Sequence, residues 1–191
     1  ETAVVPLRSL LESSDPAVQI RAIHQLTSLG VDGAWAPLAD TARSKQVAPA
    51  VSQEAKNALT RLRQTPPASL YATTLGQFSL HRGSQQIVDA AWGSPKAQTL
   101  FKYFLTHAGE PVHREDLLNL FWPETLDDEQ ARNKARGNLN QLIFSVRQAL
   151  EPYLPSRIHS RYLPLENDVY TLLLPKGSEV DVQLFEEAIN S

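Results

Sequence analysis

The sequence predicts an α+β fold with an all-helical segment over residues 1–66, a mixed domain of strands and helices over 67–177, and a short helical segment over 178–191. Two observations lead to this prediction. The first third of the chain contains an internal repeat of amphipathic helical patterns, and after a proline pair the pattern changes to short alternating segments around three helices. With 42% hydrophobic and 20% charged residues among 191, the chain has enough apolar content for one or two cores.

The helical repeat is visible when residues 16–29 are laid over 49–62, because both copies share P-A-V-x-x-x-A-x-x-x-L-T-x-L at an offset of 33 residues. Apolar residues recur at i, i+4, i+8 and i+11, which places them on one helical face. A shorter helical pattern precedes each copy, at 4–13 and 34–44. The repeated apolar positions are Val18, Ala22, Leu26 and Leu29 in the first copy and Val51, Ala55, Leu59 and Leu62 in the second.

Over residues 3–64 these helical hairpins resemble the HEAT family of α-solenoid repeats, whose second helix often opens with Asp-Pro-x-Val, as residues 15–18 do here. The resemblance implies that each repeat stacks its apolar face on a neighbour. Two repeats should therefore not enclose a core between themselves, and we expect further repeats or docking onto the residues that follow.

Pro66 and Pro67 mark the predicted boundary because they bar helix continuation and bias the chain to extended conformations. After them, apolar and polar residues alternate with the period of β-strands, interrupted by glycines at turn positions. Strands are predicted over 71–83, 84–93, 110–112, 157–165 and 168–175, the last two as a hairpin.

Three helices are predicted between these strands. The first begins at the capping pair Ser94 and Pro95 and stops before Gly109, and the second is ended by Pro123. Strands, three helices and a hairpin, in this order, are the elements of a winged helix with an extra sheet at its front. The helices are predicted over 95–108, 114–122 and 128–151.

An ordered set of motifs over residues 70–191 resembles a known family. The motifs are L-G-x-F-x-L at 75–80, W-x-S-x-K-A at 92–97, R-E-D-L-L-x-x-F-W-P at 114–123 and N-L-x-x-x-I-x-x-V-R-x-x-L at 138–150. Together they resemble the OmpR/PhoB-type winged helix-turn-helix of SARP-type bacterial transcriptional activators. The segment D-V-x-x-F-E-E-A-I at 181–189 resembles the opening of the bacterial transcriptional activator domain of that family, so residues 178–191 are predicted to be its truncated start.

The resemblance implies sequence-specific binding of double-stranded promoter or operator DNA by a bacterial transcriptional regulator. The helix at 128–151 would enter the major groove, and the hairpin at 157–174 would lie on the backbone or in the minor groove as the wing. Stepping 100° per residue along the helix separates an apolar face from an outer face rich in amides, which can pair with adenine. A solvated face of common polar residues is the alternative interpretation. The predicted base-reading residues are Asn140, Gln141, Phe144 and Gln148.

Charge is segregated along a chain whose formal net charge is −3. Residues 69–177 hold eleven basic and eleven acidic residues, but 130–165 hold six basic residues against Glu151 alone, while 110–129 hold seven acids. Local basic clusters contact phosphates. The alternative is that Arg136 or Arg147 pairs with an acid inside the protein. The predicted phosphate-binding residues are Arg114, Arg132, Lys134, Arg136, Arg147, Arg157 and Arg161.

Several features depart from the family pattern. Ser145 and Gln148 stand where relatives often carry basic residues, and the hairpin tip lacks glycine-rich, positively charged sequence, which predicts weaker non-specific DNA affinity. Gly137 either permits close approach to phosphates or marks a kink. A competing hypothesis is a protein-interaction module, a solenoid with a degenerate winged helix that contacts RNA polymerase or a regulatory partner. Phe144, the acidic stretch and the zero net charge of the domain favour it.

Motifs for enzymatic chemistry are missing from the sequence. The five histidines lie on different elements without metal-ligand spacing, and the chain has neither a phosphate-cradling glycine loop nor a nucleophile elbow. We therefore expect no enzymatic activity, no cofactor and no metal. The apolar runs are far shorter than the roughly 20 residues of a membrane-spanning helix, so we expect no membrane partner and a cytoplasmic location.

The chain opens at Glu1 and contains no methionine. This composition predicts a fragment or a processed product. We expect sensor or NTPase domains upstream in the same chain, and RNA polymerase is a further candidate partner.

Overall fold

The computed structural model describes residues 4–29, 32–152, 154 and 159–189, and in this part of the chain the protein is a mixed α+β structure with eight α-helices and two small sheets. The chain forms two compact units. The first contains the residues up to Pro66 together with Glu151, Pro152 and Leu154, and the second contains 67–150 and the residues from His159 onward.

Each copy of the sequence repeat forms one helix of the first unit, and a shorter helix precedes it. Asp15 caps the first of these long helices, since its Oδ1 accepts the Ala17 N–H at 2.8 Å, and Pro49 occupies the first turn of the second. The helices are α1 (Val4–Leu10), α2 (Pro16–Leu29), α3 (Trp35–Arg43) and α4 (Pro49–Gln64).

The helices of the first unit share one apolar core. The expectation that two repeats enclose no core is wrong for the described residues, because Trp35 and Leu38 of α3 are buried in one apolar cluster with residues of α2 and α4. Most of the repeated apolar positions lie in this core. Leu29, at the end of α2, is exposed, whereas Ile23 is fully buried, because the buried arc of α2 is wider than the i, i+4 pattern alone describes.

The second unit contains two sheets. Four strands form the first in the order β3-β2-β1-β7, antiparallel except for the parallel pair β1 and β7, and three strands form the second in the order β4-β6-β5, all antiparallel. The strands are β1 (Leu70–Thr73), β2 (Ser79–Arg82), β3 (Gln85–Gln86), β4 (Pro111–His113), β5 (Leu165–Glu166), β6 (Val169–Thr171) and β7 (Glu179–Val180).

Four helices complete the second unit: α5 (Pro95–Thr106), α6 (Arg114–Phe121), α7 (Glu129–Leu150) and α8 (Asp181–Ile189). The predicted start of α5 is confirmed, since Ser94 Oγ accepts the Ala97 N–H at 3.2 Å. One contiguous core joins both sheets to α5, α6 and α7. Its large side chains include Trp92, Phe101, Phe104, Leu139, Ile143 and Tyr170.

Two predicted strand regions are shorter than expected. Residues Asp89–Trp92, predicted as strand, form a 3-10 turn that buries Trp92 with its ring 4.9 Å from that of Phe101. The hairpin consists only of the short strands β5 and β6. Asn167 and Asp168, with φ of 50° and 63°, form the two-residue turn between them. Residues 159–164, predicted as strand, are irregular.

The segment predicted as a separate domain start, 178–191, begins with a strand of the first sheet. β7 pairs with β1, and Val180 is buried in the core of the second unit. Asp181, the first residue of α8, accepts hydrogen bonds from the Thr74 N–H and Oγ1 at 2.7 and 2.6 Å and from the Leu75 N–H at 2.9 Å. These bonds hold the pKa of Asp181 below its ordinary value, and they attach the start of α8 to the loop after β1.

Candidate nucleic-acid interface

The buried face of α7 fixes the orientation of the helix in the second unit. Ala135, Leu139, Ile143, Val146 and Leu150 are buried in the shared core, which confirms the predicted apolar stripe. Because these positions recur every three or four residues over the whole length of the helix, they determine which side chains point outward.

The outer face of α7 is the line of residues opposite this stripe: Lys134, Gly137, Gln141, Phe144 and Gln148. The first four are exposed and Gln148 is half-buried. Phe144 exposes 46% of its surface. Asn140, on the flank of this line, is also exposed. Three of the four predicted base-reading residues are therefore accessible, and the fourth is partly so.

Acidic residues are confined to the start of α7. Asp128 caps the helix, since its Oδ1 accepts the N–H groups of Gln130 and Ala131 at 2.9 and 3.0 Å. Glu129 lies in the first turn, and no acid follows between Gln130 and Leu150. Beyond Glu129, the exposed side chains of α7 are therefore amides, basic groups and one aromatic ring.

Two of the predicted phosphate-binding arginines bind one carboxylate of α6. Arg132 Nη2 donates to Glu115 Oε2 at 2.7 Å and to Asn119 Oδ1 at 2.6 Å, and Arg136 Nη2 donates to Glu115 Oε1 at 3.0 Å. Hydrogen bonds from Arg132 and Arg136 hold the pKa of Glu115 below its ordinary value. The two side chains differ in burial, since Arg132 is 13% exposed and Arg136 is 48% exposed.

Arg114 attaches the hairpin turn to the start of α6. Its Nη1 lies 3.2 Å from Asp168 Oδ1, its Nη2 donates to the Tyr170 hydroxyl at 3.4 Å, and its backbone N–H donates to the Asp168 carbonyl at 2.9 Å. The carboxylate of Asp168, at the tip of the hairpin, thereby forms a surface ion pair with a neighbouring cation.

Arg147 binds a backbone carbonyl of the segment before β5. Its Nε and Nη2 donate to the Leu163 carbonyl at 3.0 and 2.7 Å, and its guanidinium lies 5.9 Å from the centre of the Tyr170 ring. It therefore positions the segment that leads into β5. Of the remaining predicted phosphate contacts, Lys134 is exposed, Arg161 is half-buried, and Arg157 lies outside the described residues.

Glu115 and Asn119 organise this site, and the sequence analysis did not identify them. A signal for them exists: Glu115 and Asn119 are four residues apart on α6, and Arg132 and Arg136 are four residues apart on α7. Residues at this spacing lie on the same face of a helix. The two acceptors on α6 and the two donors on α7 have the same spacing. This match indicates that the two helices pack with the acceptor face of α6 against the donor face of α7.

Gly137 has no packing reason within the second unit. Helix α7 is continuous through it, and a methyl group added there would meet nothing within 4 Å. An exposed glycine inside a helix costs about 1 kcal/mol relative to alanine. Neither a helix end nor crowding among the described residues accounts for this cost.

Metal clusters and membrane-spanning helices are absent from the described residues. Their His, Asp and Glu side chains do not gather in groups that could hold a metal ion. In the same part of the chain, every helix is too short or too polar to cross a membrane. Comparison with protein-family models, with curated proteins and with solved structures yields no significant match.

Proposed function

We propose that the second unit binds duplex DNA sequence-specifically, with the outer face of α7 in the major groove, as the DNA-binding part of a bacterial transcriptional regulator. Successive helices α6 and α7 beside a sheet that ends in the β5-β6 hairpin have the element order of a winged helix, which supports a relationship to the OmpR/PhoB type. The first unit consists of two helical hairpins, α1–α2 and α3–α4, and this element order supports a relationship to HEAT-like repeats.

The observation that carries the proposal is the exposed surface of α7 from Gln130 onward, which contains no acid. At 22 residues the helix is about 33 Å long, and the major groove, about 12 Å wide, admits a helix. Asn140 and Gln141 carry amides that can form paired hydrogen bonds with adenine, and Phe144 can pack on the methyl group of thymine. An ordinary solvated face would mix both signs of charge along this length, and a surface that meets phosphates would exclude acids.

Lys134 and Arg136 are the proposed phosphate contacts on α7. Arg136 is half exposed and its partner Glu115 is 54% exposed. A surface ion pair of this kind contributes about 0–1 kcal/mol, so a phosphate can replace the carboxylate at small cost. Arg114, Arg132 and Arg147 instead position the hairpin and α6 against α7.

The hairpin is the proposed wing. Its turn contains Asp168, and the carboxylate of this residue, if unpaired, would repel the phosphates of the DNA backbone. Arg114 pairs with that carboxylate and offsets part of this repulsion. Glu166 of β5 is also exposed, so the hairpin adds little attraction of its own.

Fluorescence anisotropy with the whole chain tests the proposal. Duplexes selected from a random pool should bind, and the affinity should fall steeply as salt rises because each neutralised phosphate releases condensed counterions. Replacing Lys134 with Ala should make the negative slope of log affinity against log salt shallower by about one. The matched control is Lys45→Ala, an exposed lysine of the first unit, which should leave the slope unchanged. Absence of binding at low salt, or affinity independent of salt, would exclude the proposal.

A protein partner is the second candidate. Phe144 is a large apolar side chain exposed on a helix, and such residues act as anchors in protein interfaces. In that case the outer face of α7 would contact RNA polymerase or a regulatory protein instead of base edges.

A further inference from the structure

Gly137 lies at the centre of the outer face of α7. Its neighbours on the same line are Lys134, three residues before it, and Gln141, four residues after it. In a helix these spacings place the two side chains one turn on either side of the glycine. The backbone at Gly137 is therefore the lowest point of a shallow notch between two long polar side chains.

Requirements within the protein do not explain a glycine at this position. Its backbone lies outside the left-handed region that favours glycine, in contrast to Gly93 and Gly109. A methyl group there would meet no atom of the described residues within 4 Å. Alanine would therefore fit this site and strengthen the helix, since glycine has the lower helix propensity.

We infer that Gly137 is the point of closest approach between α7 and the floor of the major groove, and that its missing side chain sets the depth at which the helix is seated. The inference rests on the proposed function and adds a positioning role that no polar or charged side chain supplies. A side chain at this point would hold the backbone away from the base edges. Asn140 and Gln141 would then lose hydrogen-bonding distance, whereas the long side chains of Lys134 and Arg136 would still reach phosphates.

Gly137→Ala and Gly137→Leu test this inference in the whole chain, with Gly33→Ala as the matched control. Gly33 also lies outside the left-handed region, and a methyl group added to it meets Val4 at an ordinary 3.6 Å. Thermal unfolding and anisotropy on selected and random duplexes are measured for each variant. Gly137→Ala should raise the unfolding midpoint and still weaken the selected duplex about tenfold, the scale of losing one base contact. Gly137→Leu should weaken it further, random duplexes should change less, and Gly33→Ala should bind like the parent chain.

The possible failures are distinguishable. If the parent chain binds no duplex DNA at low salt, the proposed function fails and the inference fails with it. If the parent chain binds but Gly137→Ala binds the selected duplex equally well, only the inference is overturned. A lowered unfolding midpoint of Gly137→Ala would also overturn it, because glycine would then serve the fold itself.

Discussion

Burial decides which arginines on α7 are available to an outside partner. Arg132 is mostly buried and has two acceptors, Glu115 and Asn119. Removing it would delete a mostly buried side chain together with its hydrogen bonds to both acceptors, whereas Arg136 would still bind Glu115. Arg136 shares the same carboxylate from an exposed position, where an ion pair contributes little. The two neighbouring arginines therefore have different roles despite their similar positions in the sequence.

Arg136→Ala should weaken selected and random duplexes alike and make the salt dependence shallower, because a phosphate contact carries no sequence information. Its free energy of unfolding should change by less than about 1 kcal/mol. Arg132→Ala should instead destabilise the fold measurably in urea. Arg63→Ala, an exposed arginine of the first unit, controls for the loss of one charge. Unchanged DNA affinity in Arg136→Ala would remove this residue from the interface.

Glu115 gives stability a dependence on pH. The hydrogen bonds from Arg132 and Arg136 lower its folded-state pKa below the ordinary value of 4.5. A lowered carboxyl pKa stabilises the fold above the unfolded-state value, and this contribution is lost as pH falls through the lower folded-state pKa. Urea unfolding of the parent chain and of Glu115→Gln should therefore differ at neutral pH and converge in acid. An equal difference at every pH would show that the ionised carboxylate contributes nothing.

At the scale of the element, α7 has a buried apolar face and an exposed outer face on opposite sides. Its apolar face holds the helix in the core of the second unit, so substitutions on the outer face should leave the fold intact. This separation allows the two candidate functions to be distinguished by single substitutions at exposed positions.

Gln141→Ala and Phe144→Ala distinguish a DNA partner from a protein partner. If α7 reads base edges, Gln141→Ala should cost about 1–3 kcal/mol on the selected duplex and little on random DNA. Phe144→Ala should then also weaken the selected duplex through loss of a thymine contact. DNA binding that survives Phe144→Ala, together with lost capture of purified RNA polymerase, would assign the outer face to a protein. Both variants should unfold like the parent chain, since both side chains are exposed.

Local signals in the sequence predicted the helices better than the strands. Ser94 and Pro95 start α5 through contacts within four residues, and the stripe of α7 follows from its own periodicity. The pairing of β7 with β1 joins two residues to a strand more than one hundred positions away, and no periodicity appears in so short a strand. The contacts of Glu115 with Arg132 and Arg136 depend on how α6 packs against α7. The spacing of charges along one helix alone does not reveal which helix it packs against.

At the scale of the whole molecule, the C-terminal residues are part of the second unit. A chain ending after Gly177 would lose β7, the burial of Val180 and the three hydrogen bonds to Asp181. Burial of one valine side chain contributes about 1.5–3 kcal/mol, and each hydrogen bond about 1 kcal/mol. The truncated chain should therefore unfold at lower urea than the parent, and Val180→Ala should have a smaller effect of the same sign. Equal unfolding midpoints would show that β7 is dispensable.

The first unit should contribute no DNA affinity of its own. Residues 1–66 hold seven basic and six acidic residues, so their field towards a polyanion is nearly neutral, and their repeated apolar positions are accounted for by packing. Deleting them should leave the affinity for selected duplexes nearly unchanged. Leu154 packs against the core of this unit, so the deletion should be combined with Leu154→Ser to avoid exposing an apolar side chain. Circular dichroism checks that the shortened chain is folded. A large loss of affinity in a folded chain would mean that the helical repeats take part in binding.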